Sequence, residues 1–429
     1  MKPACLIWLL YACAAHAETV AITGARVWTN TSDEPVLNAT IVIADGRIVS
    51  IAPDATPPSS ARVLQAHGQI VTPALDAAAT QIGLAEVTSA SDTDDRAVSS
   101  GPLGAAFDVS LGVDANSLTV QMARAAGVGR ALVFPGPAGV GVFAGQGARL
   151  YLAASADIVD RARVAVFATA GGAAADAAGG SRAAMWGQLR NALAEARELR
   201  NALGAFKLRD QLQNHLEIEA LLPVLARRIP LAIVANREAD IRQAITTAKD
   251  FGIAVVIVGG AEAWRAADLL AARQISVILD PLDELPVSFD VLGARRDNAA
   301  LLARAGVLIG FSVSGQGIYL SYNLGSALRE GAGLAVANGL PYAQAIRAIT
   351  QNAGRIWADG APRGMLAPGA VADLVIWDGD PLEPASAPVA IFLGGHAISL
   401  ETRQSLLRER YRPSPGGSLR GAASPGSNN

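Results

Sequence analysis

A chain of 429 residues with a hydrophobic fraction of 51% and a charged fraction of 17% can bury a substantial core. Its mean hydropathy of +0.31 excludes an intrinsically disordered chain. The net charge of −3 and isoelectric point near 5.9 give no electrostatic basis for binding nucleic acid or an anionic membrane surface, which leaves small molecules and proteins as partners.

The first residues, MKPACLIWLLYACAAHA, combine Lys2, an apolar run from Ala4 to Ala15, and the small-x-small ending Ala15-His16-Ala17. This is the pattern of a secretory signal over residues 1–17, cleaved after Ala17, so a secreted or periplasmic chain is expected. Cys13 raises lipidation as an alternative, but Ala14-Ala15-His16 after it reads as an ordinary signal ending. Both cysteines, Cys5 and Cys13, lie in this segment, so the mature chain is expected to have neither a disulfide nor a thiolate. No later apolar run reaches the roughly 18 residues of a membrane span.

Residues 18–72 follow a short β pattern, with Asp45-Gly46 as a hairpin turn between alternating apolar residues. From 73 to 364 the pattern changes to short apolar runs followed by helical stretches: VGRALVF, ARVAVFATA, PLAIVAN, GIAVVIVGG, ISVILD and GVLIGFSVS. Such runs indicate a parallel sheet covered on both faces, as a βα barrel or a doubly wound sheet. With the strand around Ile70 they give seven strands, and no eighth is evident. The glycine-rich stretch 136–147, GPAGVGVFAGQG, lacks the Lys-Ser/Thr ending of a phosphate loop and reads as a loop at the barrel mouth. Ser181 caps a helix carrying Met185, Leu189, Leu193, Ala196, Leu199 and Leu203 at helical spacing, a stripe that packs on the sheet. The β pattern returns over 365–405. Arg403, Arg408, Arg410 and Arg412 then form a solvated helix face, and the Pro/Gly/Ser-rich tail 413–429 is expected to be disordered.

Three blocks resemble the amidohydrolase superfamily, specifically its imidazolonepropionase-like members. They are IVIADGRIVSIAP with GQIVTPALDAAATQIGL, then LPYAQAIRAITQNAGRIW, then RGMLAPGAVADLVIWDGDPLE. The resemblance implies a (β/α)₈ TIM-like barrel with a composite β-sandwich domain formed from both chain ends. Its site would lie at the C-terminal ends of the strands, where the family uses one or two divalent metals such as zinc to activate water against a non-peptide carbon–nitrogen bond.

Carried onto this chain, the family's metal-ligand pattern meets residues unable to fill it. The His-x-His of the first barrel strand falls at Ala79 and Gln81, and the acid before it at Ala77, with Asp76 shifted by one. Asn236, then Gly259 or Gly260, stand where two further histidines are expected, and Ser312 and Ser314 where an aspartate is expected. An alanine methyl has no lone pair, and a neutral amide is a poor ligand for zinc-like ions. After signal removal only His67, His215 and His396 remain, none at a barrel strand end. Lys207, the one candidate for a carboxylated lysine, lies in helical sequence. Glu86, Asp280 and Asp283 lie near strand ends but show no clustered spacing, and Ser312 and Ser314 have neither a histidine base nor a Gly-x-Ser-x-Gly elbow.

The expectation is therefore an exported amidohydrolase-like protein with a degenerate metal site and no cofactor, its family-implied hydrolysis lost or altered. The competing reading is a non-catalytic periplasmic binding or structural partner protein, with Ala79, Gln81, Asn236, Gly259, Ser312 and Ser314 lining a ligand pocket. A homo-oligomer or a complex with an active relative is compatible with either reading.

Overall fold

A computed structural model of the chain describes residues 19–86, 90–137, 141–153, 156–201, 214–283, 285–313, 322–360 and 363–412. The signal segment, Leu203, Lys207, Ser314 and the tail fall outside the described residues.

The first sheet uses both ends of the chain. Strands β1 (Val20–Val27), β2 (Val36–Ala44) and β3 (Arg47–Pro53) form an antiparallel meander. The β2–β3 turn has positive φ at Asp45 (52°) and Gly46 (74°), as a type I′ hairpin turn requires. β1 then branches: its first half pairs in parallel with β4 (Arg62–Gln65) and its last residues with β5 (Ile70–Pro73). β5 pairs antiparallel with β14 (Leu374–Trp377), which continues through β15 (Pro388–Leu393) to β16 (His396–Ile398). Alternate side chains bury one apolar cluster that includes Ile22, Ile41, Ile43, Val71, Leu374 and Phe392.

The second sheet is an eight-stranded, nearly closed barrel in sequence order. Its strands are β6 (Leu75–Thr80), β7 (Val128–Val133), β8 (Phe143–Tyr151), β9 (Val159–Thr169), β10 (Leu231–Ala235), β11 (Val255–Gly259), β12 (Ser276–Leu279) and β13 (Ile309–Phe311). β13 returns beside β6, where a Cβ on Gly310 would lie 3.0 Å from that of Ala78.

Three expectations need correction here. The strand read around Ile70 belongs to the first sheet as β5, and the barrel begins with β6 instead. The stretch read as a glycine-rich loop contains the start of the missing eighth strand, β8. The sheet is also not wholly parallel, because β8 runs antiparallel to both β7 and β9. The connections 134–142 and 152–158 are too short for the crossover that a parallel neighbour needs. The glycines of β8 serve close packing: a Cβ on Gly145 would stand 2.6 Å from the Phe107 carbonyl oxygen, and one on Gly147 would stand 2.7 Å from the Phe167 ring.

The barrel interior is filled by small and aromatic side chains, among them Ala78, Ala79, Leu132, Phe167, Ile278 and Trp357. Trp357 arrives from the helix Asn352–Ile356 and donates its indole N–H to the Ala78 carbonyl at 2.7 Å, satisfying a polar group that burial would otherwise leave without water. Outside, the helix Arg182–Asn201 buries Met185, Trp186, Leu189, Leu193 and Ala196 on the face expected from their spacing.

At the N-terminal ends of the parallel strands lies a buried ion cluster. Arg149, fully buried on β8, donates Nη1 and Nη2 to the two carboxylate oxygens of Asp76 at 2.9 and 2.7 Å, and Nε and Nη2 to Asp359 at 3.1 and 2.7 Å. Burial works against the Arg149 charge, but attraction to Asp76 and Asp359 outweighs it and raises its pKa above the ordinary arginine value. Asp76, the displaced acid of the first barrel strand, is thus a structural anchor at the end of the barrel away from the strand C-termini.

Candidate functional site

A cavity of about 440 Å³ opens at the C-terminal ends of the parallel strands. Four of the positions singled out in the sequence meet there: Gln81 just beyond β6, Asn236 just beyond β10, Gly259 at the end of β11, and Ser312 just beyond β13. Ala79 does not line the cavity. It is 0% exposed and belongs to the apolar barrel interior beneath it. The two differ in depth: Ala79 lies within β6, inside the barrel, whereas Gln81 stands just beyond the strand's last residue, where the interior opens into the cavity.

Each polar residue at a strand end already makes one side-chain hydrogen bond. Gln81, 6% exposed, accepts at Oε1 from Arg96 Nη1 at 3.2 Å. Arg96 also donates Nε and Nη2 to Asp94 at 2.8 and 2.6 Å, and this pairing holds the Asp94 carboxyl below its usual pKa. Asn236 accepts at Oδ1 from the Ala261 backbone N–H at 3.3 Å. Ser312 donates Oγ–H to the Leu279 carbonyl at 3.2 Å. Gly259, at φ +93°, is fitted to its neighbour: a Cβ there would lie 2.5 Å from Asn236 Oδ1.

The floor is apolar, with the Phe134 and Phe167 rings stacked at 5.3 Å and 25°. Charged side chains ring the mouth. Asp280 and Asp283, which the sequence places near strand ends, line the cavity, and burial raises the Asp283 carboxyl. Glu86 is elsewhere, accepting the Leu118 N–H at 2.8 Å at the start of the helix Leu118–Ala125. Asp94, Arg96 and Arg295 were not found by sequence reasoning, because they lie on long loops and not at strand ends. The available signal was local: Asp94 and Arg96 form an acid–base pair two residues apart in a charge-poor chain.

The residues do not fit a divalent metal. Among the described residues no group of three or more His, Cys, Asp or Glu side chains could hold one. His67, His215 and His396 are all exposed, and His215 Nε2 lies 2.9 Å from Glu219 Oε1. Gln81 Oε1 faces a guanidinium, whose charge repels a cation, and Asn236 Oδ1 faces an N–H. No chemistry through a metal is derived from this donor set.

Residues 232–398, which include Asn236, Gly259 and Ser312 but not β6, match the family model described as Amidohydrolase family. No curated protein matches the chain. Among solved structures, an amidohydrolase from Thermotoga maritima is 21% identical with a TM-score of 0.78, covering 89% of this chain and 99% of its own. An adenosine deaminase from Xanthomonas campestris with bound zinc is 16% identical at a TM-score of 0.53, covering 91% and 96%. A prolidase complexed with N-methylphosphonate-L-proline is also 16% identical at 0.53, covering 89% and 99%. At these identities the structural likeness is one of fold. Together with the match over 232–398 it supports the amidohydrolase superfamily.

Proposed function

We propose that the mature chain is an exported, imidazolonepropionase-like amidohydrolase scaffold that binds a small organic molecule and has lost the family's metal chemistry. One observation carries this reading. At the strand ends where the resemblance expects metal ligands, the cavity holds Gln81, Asn236, Gly259 and Ser312, and the polar oxygens of Gln81 and Asn236 already accept hydrogen bonds. A preformed pocket of about 440 Å³ with an apolar floor and a few fixed polar groups is within the range of small-molecule sites.

The match of residues 232–398 favours a second reading, retained hydrolysis of a non-peptide carbon–nitrogen bond. Metal content and turnover separate the two. Mature protein purified from its own host is expected to hold no stoichiometric zinc, manganese or iron, to be inactive on amide, lactam and dipeptide panels, and to carry a small molecule visible by native mass spectrometry. About one or two equivalents of metal needed for turnover would overturn the binding reading.

A further inference from the structure

We infer that Gln81 and Asn236 face the cavity as oriented hydrogen-bond donors, that Arg96 is the positioning residue for Gln81, and that the site is selective for an uncharged, carbonyl-bearing ligand. This rests on the binding reading and assigns its chemistry.

A primary amide has one acceptor oxygen and one NH₂ donor, so fixing the oxygen fixes the nitrogen. Arg96 offers only donors, so the atom of Gln81 facing Nη1 at 3.2 Å must be Oε1. Nε2 then projects to the other side, where a Cβ on Gly136 would stand 3.5 Å from it and where it makes no hydrogen bond to a described residue. The same reasoning holds for Asn236. The Ala261 N–H takes Oδ1 at 3.3 Å, and Nδ2 makes no hydrogen bond to a described residue. Both residues line the one cavity, so two NH₂ groups are presented to its occupant.

Charge decides which acceptor they receive. Asp94, Asp280 and Asp283 among the lining residues balance Arg96, Arg295 and Arg296. Arg96 is paired with Asp94, and Arg295 with Asp297. The described wall thus has no cationic excess to hold an anion, and its two inward amide donors repel a cation. A neutral carbonyl oxygen accepts from such donors without needing a counter-charge, while the Phe134–Phe167 floor takes the apolar remainder of the molecule.

Cyclohexanone is a suitable probe, having a carbonyl and an apolar ring but no bond for a hydrolase to cleave. It is titrated against full-length mature protein alongside acetate and zinc chloride, following the side-chain amide resonances by ¹H–¹⁵N NMR. Cyclohexanone is expected to bind most tightly of the three and to shift the NH₂ signals of Gln81 and Asn236. Gln81→Glu and Asn236→Asp each keep an oxygen facing Arg96 or the Ala261 N–H while turning the inward donor into an acceptor, and each is expected to weaken cyclohexanone binding at least tenfold. Arg96→Lys should weaken it in the wild-type background but add nothing to Gln81→Glu, a non-additivity that a merely structural role would not produce. Absence of cyclohexanone binding, tighter binding of acetate or zinc, or unchanged affinity in both amide variants overturns the assignment. A copurifying ligand retained by both variants would sink the donor assignment and leave the binding reading standing. Metal-dependent turnover would sink the binding reading, whereas the wild-type amide shifts would still decide the donors.

Discussion

Arg149→Met tests whether Asp76 is held by the fold and not by function. The variant removes all four hydrogen bonds that Arg149 makes to Asp76 and Asp359. Asp359 keeps Arg161 Nη2 at 3.3 Å, whereas Asp76, whose side chain is 2% exposed, loses every hydrogen-bonded cation and keeps only the weaker attraction of Arg130. Breaking a buried pair in this way costs about 3–5 kcal/mol. Urea unfolding followed by tryptophan fluorescence reads the loss as a lowered midpoint. Burial already raises the Asp76 carboxyl above its ordinary value, and without Arg149 nothing comparable opposes that. An acid whose folded pKa is raised binds its proton more tightly folded than unfolded, so stability is gained as the pH falls toward that pKa. The deficit should therefore narrow as the pH is lowered toward the ordinary carboxylate value of 3.8. Asp76→Leu combined with Arg149→Met should recover most of the loss, because no unpaired charge then remains in the core. A single-variant cost below about 1 kcal/mol, or a double variant no more stable than the single one, would refute the account.

Further outcomes follow at the cavity end. Gly259→Ala adds a Cβ 2.5 Å from Asn236 Oδ1 at a φ of +93°. It should cost about 1–3 kcal/mol and turn the Asn236 amide away, seen as a displaced NH₂ resonance in the NMR spectrum. Asp94 has its pKa lowered by Arg96, so the stability and order it contributes are complete above its ordinary value of 3.8 and are lost as the pH falls through the lower folded value. The Gln81 amide signals should accordingly remain fixed down to that value and broaden only below it. Restoring histidines as Ala79→His with Gln81→His should not create a zinc site detectable by calorimetry. Ala79 is 0% exposed in the barrel interior, where overpacking costs about 1–3 kcal/mol, and Asn236 and Gly259 offer no matching ligands.

The parts of the fold written as periodicity could be read directly from the sequence. The Asp45-Gly46 hairpin, the apolar strand runs and the stripe on Arg182–Asn201 each obey a local rule, and each is found in place. β8 obeys none of them. Its glycines answer to Phe107, in the loop before β7, and to Phe167, on β9, and its buried Arg149 contradicts the rule that charges lie outside until Asp76 and Asp359 are seen beside it. The cavity divides along the same line. Gln81, Asn236, Gly259 and Ser312 could be located because strand ends can be counted, whereas the burial of Ala79 depends on side chains such as Leu132, Phe167 and Trp357 that close over it from other elements. Arg96 reaches Gln81 through a loop, and loop paths are set by tertiary contacts.

The reversed direction of β8 bears on how the barrel assembles. Its two neighbours are adjacent in sequence, so Val128–Thr169 can pair as a meander by closing only short loops, whereas the other barrel strands must first close long crossovers. Hairpins form in about 1–10 μs, well ahead of such distant pairings. In pulse-labelled hydrogen exchange during refolding, the β8 amides should thus gain protection before those of β11 and β12, making the one stretch of barrel without a crossover the template on which the remaining strands align.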